Sequence, residues 1–429
     1  MSQASWLRVA TVFGAIVVSA CGGGGGSEEA SALPPEPPEP GPSAELVIGQ
    51  ATFTDNQANR GGAIRAGSMK APIGNVAISE GGTLFISDSR NGRILAYTNV
   101  PTSNGASANF AVGKPDPDSA DPGPISGNNL GTPVSVCVAD GRMGVTDASG
   151  HRVLIYDTVP SANGAAARFV VGQGSLTDTM AGGCTDNGLN RPRSSVLTPN
   201  GKLVVADTLN HRVLIWNTVP ATDGQAADVV LGQADFTHCS RNDDNQDRSS
   251  DLAPTARTLN EPIAVWSDGQ RLVVADAENN RVLIWNSIPL NSTQNFKPAD
   301  LVLGQTSFTG GGANGSVTDG VSNAPSAMTM SWPGAVHSDG VRLAVADTAN
   351  QRILIWNRIP TQSATVPDRV VGHGDFTRGT PNDTNLDGTE DGSPSAAVLK
   401  TPRGVLLHGA NLFVSDTDNN RVLIFGLAP

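Results

Sequence analysis

Aromatic and charged side chains are scarce in this 429-residue chain: Phe, Trp and Tyr make up 4% and Asp, Glu, Lys and Arg 16%. There are only six His, and no two of them have the HExxH spacing of a zinc protease. No GxSxG elbow and no Cys/His arrangement for nucleophilic attack is present. The Gly-rich segments Gly22–Gly26 and Gly310–Gly312 lack the Lys and the strand-to-helix context of a phosphate loop. An excess of basic residues is also missing. The formal net charge is −12, which argues against nucleic acid and anionic membrane surfaces as partners. Beyond the N-terminal segment, no run is long and apolar enough to span a bilayer.

What the chain has instead is 49 Gly, 29 Pro and a repeat. LVVADTLNHRVLIWNTVP (Leu203 to Pro220) recurs as LVVADAENNRVLIWNSIP (Leu272 to Pro289) and LAVADTANQRILIWNRIP (Leu343 to Pro360). LFISDSRNGRILAYTNVP and MGVTDASGHRVLIYDTVP precede them, ending at Pro101 and Pro160, and LFVSDTDNNRVLIFG ends at Gly426. Each copy holds two short runs rich in Val, Ile and Leu around a polar turn, the pattern of a β-hairpin. In the turn Asp-x-x-Asn-x-Arg, the Asp suits bonds to turn N–H groups, and the Asn suits a residue of positive φ. Gly150 stands in for that Asn in the second copy and tolerates the same conformation. The Arg falls opposite the Asp, and an exposed pair there is worth at most about 1 kcal/mol. Leaving out these six Asp and six Arg leaves the net charge unchanged, so the acidity lies largely in loops.

A wider frame surrounds the hairpins. Before each stands a Pro that opens a short apolar strand: Pro72, Pro133, Pro192, Pro262, Pro333 and Pro402. Two residues later comes a small residue, fit for a place where strands crowd: Gly74, Ser135, Ser194, Ala264, Ala335 or Gly404. After every hairpin but the last comes a fourth strand ending in Gly. The missing one lies at the other end, since ELVIGQATF (Glu45 to Phe53) matches DLVLGQTSF (Asp300 to Phe308). The fold class expected is therefore all-β: a six-bladed β-propeller of four-stranded blades, the last closed by the N-terminal strand. Its bounds are residues 44–429. The Pro-x-small-Val and VADxxNxRVLIW motifs resemble the NHL-repeat family of β-propellers over nearly all of that span. The Asp-to-Asp spacing of roughly 60 to 70 residues exceeds the usual NHL repeat, so the blades carry insertions. The family includes interaction modules, extracytoplasmic sensors and some lyases, so the resemblance does not decide the activity.

Residues 1–20 read as a signal peptide: Arg8, then the apolar run Val9 to Ala20 ending in small residues. Val18-Ser19-Ala20-Cys21 resembles the lipobox of bacterial lipoproteins, which implies cleavage before Cys21 and its lipidation. Gly22 after the Cys then implies outer-membrane sorting in a Gram-negative cell. The expected localisation is the cell envelope, lipid-anchored, periplasmic or surface-exposed. Residues 21–43, GGGGGSEE followed by LPPEPPEPGP, read as a Gly/Pro/Glu-rich tether.

The insertions and the Asp-x-x-Asn-x-Arg turns are expected on one face of the ring, where function collects. The residue before each Pro should sit where that face meets the axis: Ala71, Thr132, Arg191, Glu261, Trp332 and Thr401. Arg191, Glu261, Trp332 and the neighbouring Arg403 are the candidate ligand mouth; the bland alternative is variation at solvent-facing positions. Tyr97, Tyr156, Trp216, Trp285, Trp356 and Phe425 share one repeat position, which suits packing between sheets better than a binding stripe. His151 and His211 read as turn residues. Asp383, Asn385, Asp387 and Asp391, with Gly388, resemble the opening of an EF-hand-like loop, so calcium is a possible cofactor. Pro394 stands where such a loop supplies its bidentate Glu, so binding should be weak; otherwise the loop is merely solvated. Asp243–Asp247 is a poorer version without the Gly. Cys184 and Cys239 lie in successive insertions and are the candidate disulfide, against the alternative of free thiols; Cys137 reads as a small buried hydrophobe.

The reading is a monomeric binding or scaffolding module for a protein or glycan. The alternative is an extracytoplasmic propeller enzyme, a lyase or lactonase-like hydrolase with an axial metal, and a third is a purely structural envelope protein.

Overall fold

Strands of two to seven residues, mostly buried on both faces, account for the sequence's short apolar runs. A computed structural model describes residues 41–120, 123–316 and 323–427. The segment read as a signal peptide, Cys21 and nearly all of the segment read as a tether lie outside those residues. The hairpins form six four-stranded antiparallel sheets. In the third blade the strands are Ser194–Leu197, Leu203–Asp207, Arg212–Trp216 and Val229–Leu231, running from the axis outward. The last blade is composite. Its outer strand is Leu46–Ile48, paired with Arg421–Gly426 in the register Leu46↔Ile424, Val47↔Leu423, Ile48↔Val422. The ring is thus closed by the N-terminal strand, which covers the edge that the last hairpin would otherwise leave open.

The core is divided into six clusters, each lying between consecutive blades. The repeat aromatics fill these seams. Trp216, Trp285 and Trp356 are buried, and each indole Nε1–H donates to a backbone carbonyl, of Gln225, Lys297 and Thr365 respectively. The small residues after each Pro have a steric cause. A Cβ on Gly404 would lie 1.9 Å from the Gly74 oxygen, and one on Gly74 1.7 Å from the Val134 oxygen.

One turn expectation is corrected. The repeat Asn does not take the positive φ. It ends a short 3₁₀ turn, and its amide donates to the repeat Asp, as Asn210 Nδ2 does to Asp207 Oδ2 at 2.8 Å. The left-handed residue comes one position later: Gly92, His151, His211, Asn280, Gln351 and Asn420, with φ between 50° and 63°. Gly150 therefore does not mimic a left-handed Asn; its missing side chain leaves room for Arg152, whose Nε would lie 2.7 Å from a Cβ there. The expected Asp–Arg pairs form, and the value for an exposed pair does not apply to them. All six Asp–Arg pairs are fully buried. Burial raises the Asp207 carboxyl pKa, while Arg212, the Asn190 N–H and the Asn210 amide oppose that.

Each Arg also reaches past its Asp to backbone carbonyls. Arg212 donates through Nη1 to Phe236 O at 2.9 Å, and through Nη2 to Thr185 O at 2.8 Å and Gly188 O at 2.9 Å. These acceptors lie in the insertions before and after its blade. The other five arginines repeat the arrangement, Arg421 reaching Phe53, Ser395 and Val398. The turns and the insertions therefore share one face, and the pairs bind successive insertions to the ring. Cys184 and Cys239 are joined by a disulfide between two of these insertions, with Cα atoms 6.0 Å apart. Cys137 is buried and free.

Candidate functional site: the axial mouth

The left-handed residue of each turn does more than close it. Its side chain accepts the N–H of the residue before the next blade's Pro. Arg191 N donates to His151 Nδ1 at 3.0 Å, Glu261 N to His211 Nδ1 at 3.1 Å, and Trp332 N to Asn280 Oδ1 at 2.9 Å. Thr401 N donates to Gln351 Oε1, and Ala71 N to Asn420 Oδ1 across the closure. These five pre-proline residues all have positive φ, from 48° to 55°. That conformation is costly for a side-chain-bearing residue, about 1–2 kcal/mol, and the staple holds it. Where the turn residue is Gly92 there is no side chain to accept. Thr132 N instead donates to Asp147 Oδ1 at 2.8 Å, and Thr132 is not among the left-handed residues.

Two neutral imidazoles are built into these staples. Nδ1 is the acceptor in each, which leaves the ring proton on Nε2. Burial, with Arg241 adding to it, pushes His211 down to about 4. Burial and the charge of Arg191 push His151 down.

Of the four candidate residues, Trp332 and Arg403 line the axial cavity, and Arg191 and Glu261 are not among its lining residues. Arg191 is exposed, while Glu261 and Trp332 are half-buried. Trp332 and Arg403 are brought together, with the guanidinium carbon 5.0 Å from the ring centroid. The indole Nε1–H of Trp332 donates to Glu278 Oε1 at 2.9 Å. Burial and Glu278 push the Glu261 carboxyl up, and Arg193, Arg191 and Arg241 oppose that. Sequence reasoning missed Arg193 and Glu278. Arg193 occupies the same repeat position as Arg403, between the Pro and the small residue. The other blades place Ile73, Val134, Ile263 and Gly334 there, so the two charges were visible as exceptions. All six positions line one small axial cavity with room for about 20 Å³.

The opposite end of the axis is a wider chamber of about 370 Å³, walled by Trp266, Asp268, His337, Asp339 and His408 among others. His337 Nδ1 accepts the Leu407 N–H at 3.1 Å, and burial pushes it down to about 4. Asp339 is paired with Arg342 at 2.7 Å. Among the described residues, no group of three or more His, Cys, Asp or Glu is placed to hold a metal ion.

In the 383–391 loop, Asp383 is buried and its Oδ2 accepts the Gly388 N–H, while its buried Oδ1 meets no partner. Asn385 and Asp387 are exposed or nearly so, and Asp387 Oδ1 accepts the Thr389 N–H and hydroxyl. Asp391 Oδ2 accepts the Thr384 N–H at 2.7 Å. Asp243 holds its own loop similarly, through the N–H groups of Asp247 and Arg248. The alternating polar residues thus bond the backbone of their own turns.

No family model matches the chain, and no curated protein matches it in sequence. Among solved structures it is similar to virginiamycin B lyase from Staphylococcus aureus, at 12% identity and a TM-score of 0.41, covering 84% of this chain and 96% of that one. It is similar to a chain of the mitotic checkpoint complex, at 10% identity and a TM-score of 0.44, covering 93% and 99%. A chain of the nidogen/laminin complex aligns at 16% identity and a TM-score of 0.35, covering 67% and 76%.

Proposed function

We propose that the chain is an NHL-type propeller of the cell envelope, lipid-anchored through Cys21, that binds a protein or glycan on its insertion face. The axial mouth of Arg191, Glu261, Trp332 and Arg403 is its recognition site. The observation that carries this reading is the strained rim: five non-glycine residues are held at positive φ at the axis, and the side chains so displayed differ from blade to blade. Strain kept where the repeat is otherwise constant is typical of sites that display side chains for use. Calcium is proposed as a weak ligand of the 383–391 loop, where Asp383 Oδ1 is the buried oxygen still without a donor.

The test is capture from the organism's own envelope fraction. Trp332→Ala should lose the captured partner, whereas Val341→Asp, at an exposed position in the hairpin turn of the opposite face, should keep it. Equal capture by both variants would reject the mouth as the recognition site. Anchoring is checked separately: Cys21→Ala should release the protein from membranes or stop its processing.

A further inference from the structure

We propose that the axial mouth contains a carboxylate-binding subsite formed by Arg193 and Arg403. The inference deepens the proposed recognition site and rests on that reading.

Arg193 is in the third blade and Arg403 in the sixth, so in a ring of six they face each other across the axis. Both are half-buried and both line the same cavity. Neither guanidinium has a hydrogen bond or carboxylate partner among the described residues. The Nε–H of Arg403 is buried and meets no acceptor. This is unlike the six repeat arginines, each of which is matched to an Asp and to backbone carbonyls. A guanidinium does not discharge itself by losing its proton in a protein, so the buried, unpaired N–H of Arg403 calls for an acceptor. Burial pushes the Arg193 pKa down, and the charges of Arg403 and Arg191 push it further, with Glu261 opposing. Burial and Arg90 act likewise on Arg403, with Asp418 opposing. Two cations thus repel each other across a space that neither fills.

The shape of that space selects the anion. Its walls between the two guanidiniums are apolar, from Ile73, Val134, Ile263 and Ala335. Its enclosed part is narrow, with room for about 20 Å³, so only the end of a ligand enters it. A flat carboxylate suits it, with one oxygen toward each guanidinium fork. A sulfate or phosphate dianion costs more to strip of water between apolar walls than a carboxylate does. Trp332 reports the event, because Arg403 lies over its ring and must turn from it to meet the anion.

The experiment titrates acetate, and separately D-glucuronate, into the protein while following Trp emission and heat of binding. Sulfate and D-glucose are the controls, and Trp332→Phe identifies which indole responds. Acetate and glucuronate should give saturable signals that glucose does not. Arg193→Gln and Arg403→Gln should each weaken carboxylate binding about tenfold or more, the loss of one charge-assisted contact. Arg193→Gln should leave the melting temperature equal or higher, since it removes a repulsion, which separates lost binding from lost folding. The proposal is overturned by no saturable carboxylate signal, by a signal that survives Arg193→Gln, or by sulfate binding as tightly as acetate. If carboxylates fail to bind while Trp332→Ala still abolishes envelope capture, the mouth stands and this subsite falls. If carboxylates bind and capture does not depend on Trp332, the reverse holds.

Discussion

Replacing Arg281 by Leu isolates what a buried repeat arginine contributes. Its Nε donates to Asp276 at 2.8 Å, both side chains being fully buried. Its Nη2 reaches Thr255 O and Thr258 O at 2.9 Å each, and its Nη1 reaches Phe308 O. The substitution would leave Asp276 with only the Asn260 N–H and the Asn279 amide, buried without a counter-charge. Breaking one partner of a buried pair costs about 3–5 kcal/mol. An exposed pair of the same chemistry is worth about 0–1 kcal/mol. The natural control is in the same molecule: Arg142 and Asp140 are paired at 3.3 Å with side chains 38% and 66% exposed. Urea denaturation of the two variants reads the difference. With an m-value near about 3 kcal/mol/M, Arg281→Leu should lower the midpoint by about 1 M or more, and Arg142→Leu by at most a few tenths. The reasoning fails if the two midpoints shift alike. A double variant, Asp276→Leu with Arg281→Leu, should recover part of the loss, because the stranded charge is gone.

Three further outcomes are expected. A chain starting at Ala51 should melt well below one starting at Ala44, since Leu46, Val47 and Ile48 are buried and each is worth about 1.5–3 kcal/mol; equal melting temperatures would refute closure by the N-terminal strand. Stability should fall as pH drops from about 6.5 toward 4, because His211, His337 and His373 are each pushed down to about 4 and the unfolded chain takes up protons first. The loss is about 1–3 kcal/mol per imidazole, and chemical denaturation at pH 7, 5.5 and 4.5 measures it; a flat profile would show that these rings are not held neutral. Millimolar calcium should raise the melting temperature, EDTA should lower it, and Asp387→Ala should abolish most of the response; a melt indifferent to calcium leaves the loop simply solvated.

The architecture was legible because a repeat states each structural rule several times. The blade count followed from six hairpins, and the closure from a strand missing at one end and surplus at the other. The turn was half legible. The motif showed that Asp and Arg face each other, but not that neighbouring insertions would cover both. Burial there depends on insertions that lie outside the repeated hairpin and fold back over the pair. The left-handed position was misplaced by one residue for a related reason. Its occupants, Gly, His, Asn and Gln, look unconstrained in a column, and only the next blade shows why most of them carry an acceptor. At the axis, Arg403 was noticed for its neighbours and Arg193 was passed over. Facing across a ring is a relation between the third and sixth blades that linear spacing does not display.

The six buried arginines hold their insertions by main-chain oxygens. Four of the six Nη1 acceptors are the Phe that follows a fourth strand, Phe53, Phe236, Phe308 and Phe376, but Pro117 and Leu176 serve as well, and the Nη2 acceptors are as unlike as Gly188 and Val398. Every amino acid supplies the same carbonyl, so the grip places no demand on what side chain the loop carries. Mutation can therefore rewrite an insertion almost freely while its path over the ring stays put. The scaffold thus separates inheritance of shape from diversification of surface, and one ring can be retuned to new partners without being rebuilt.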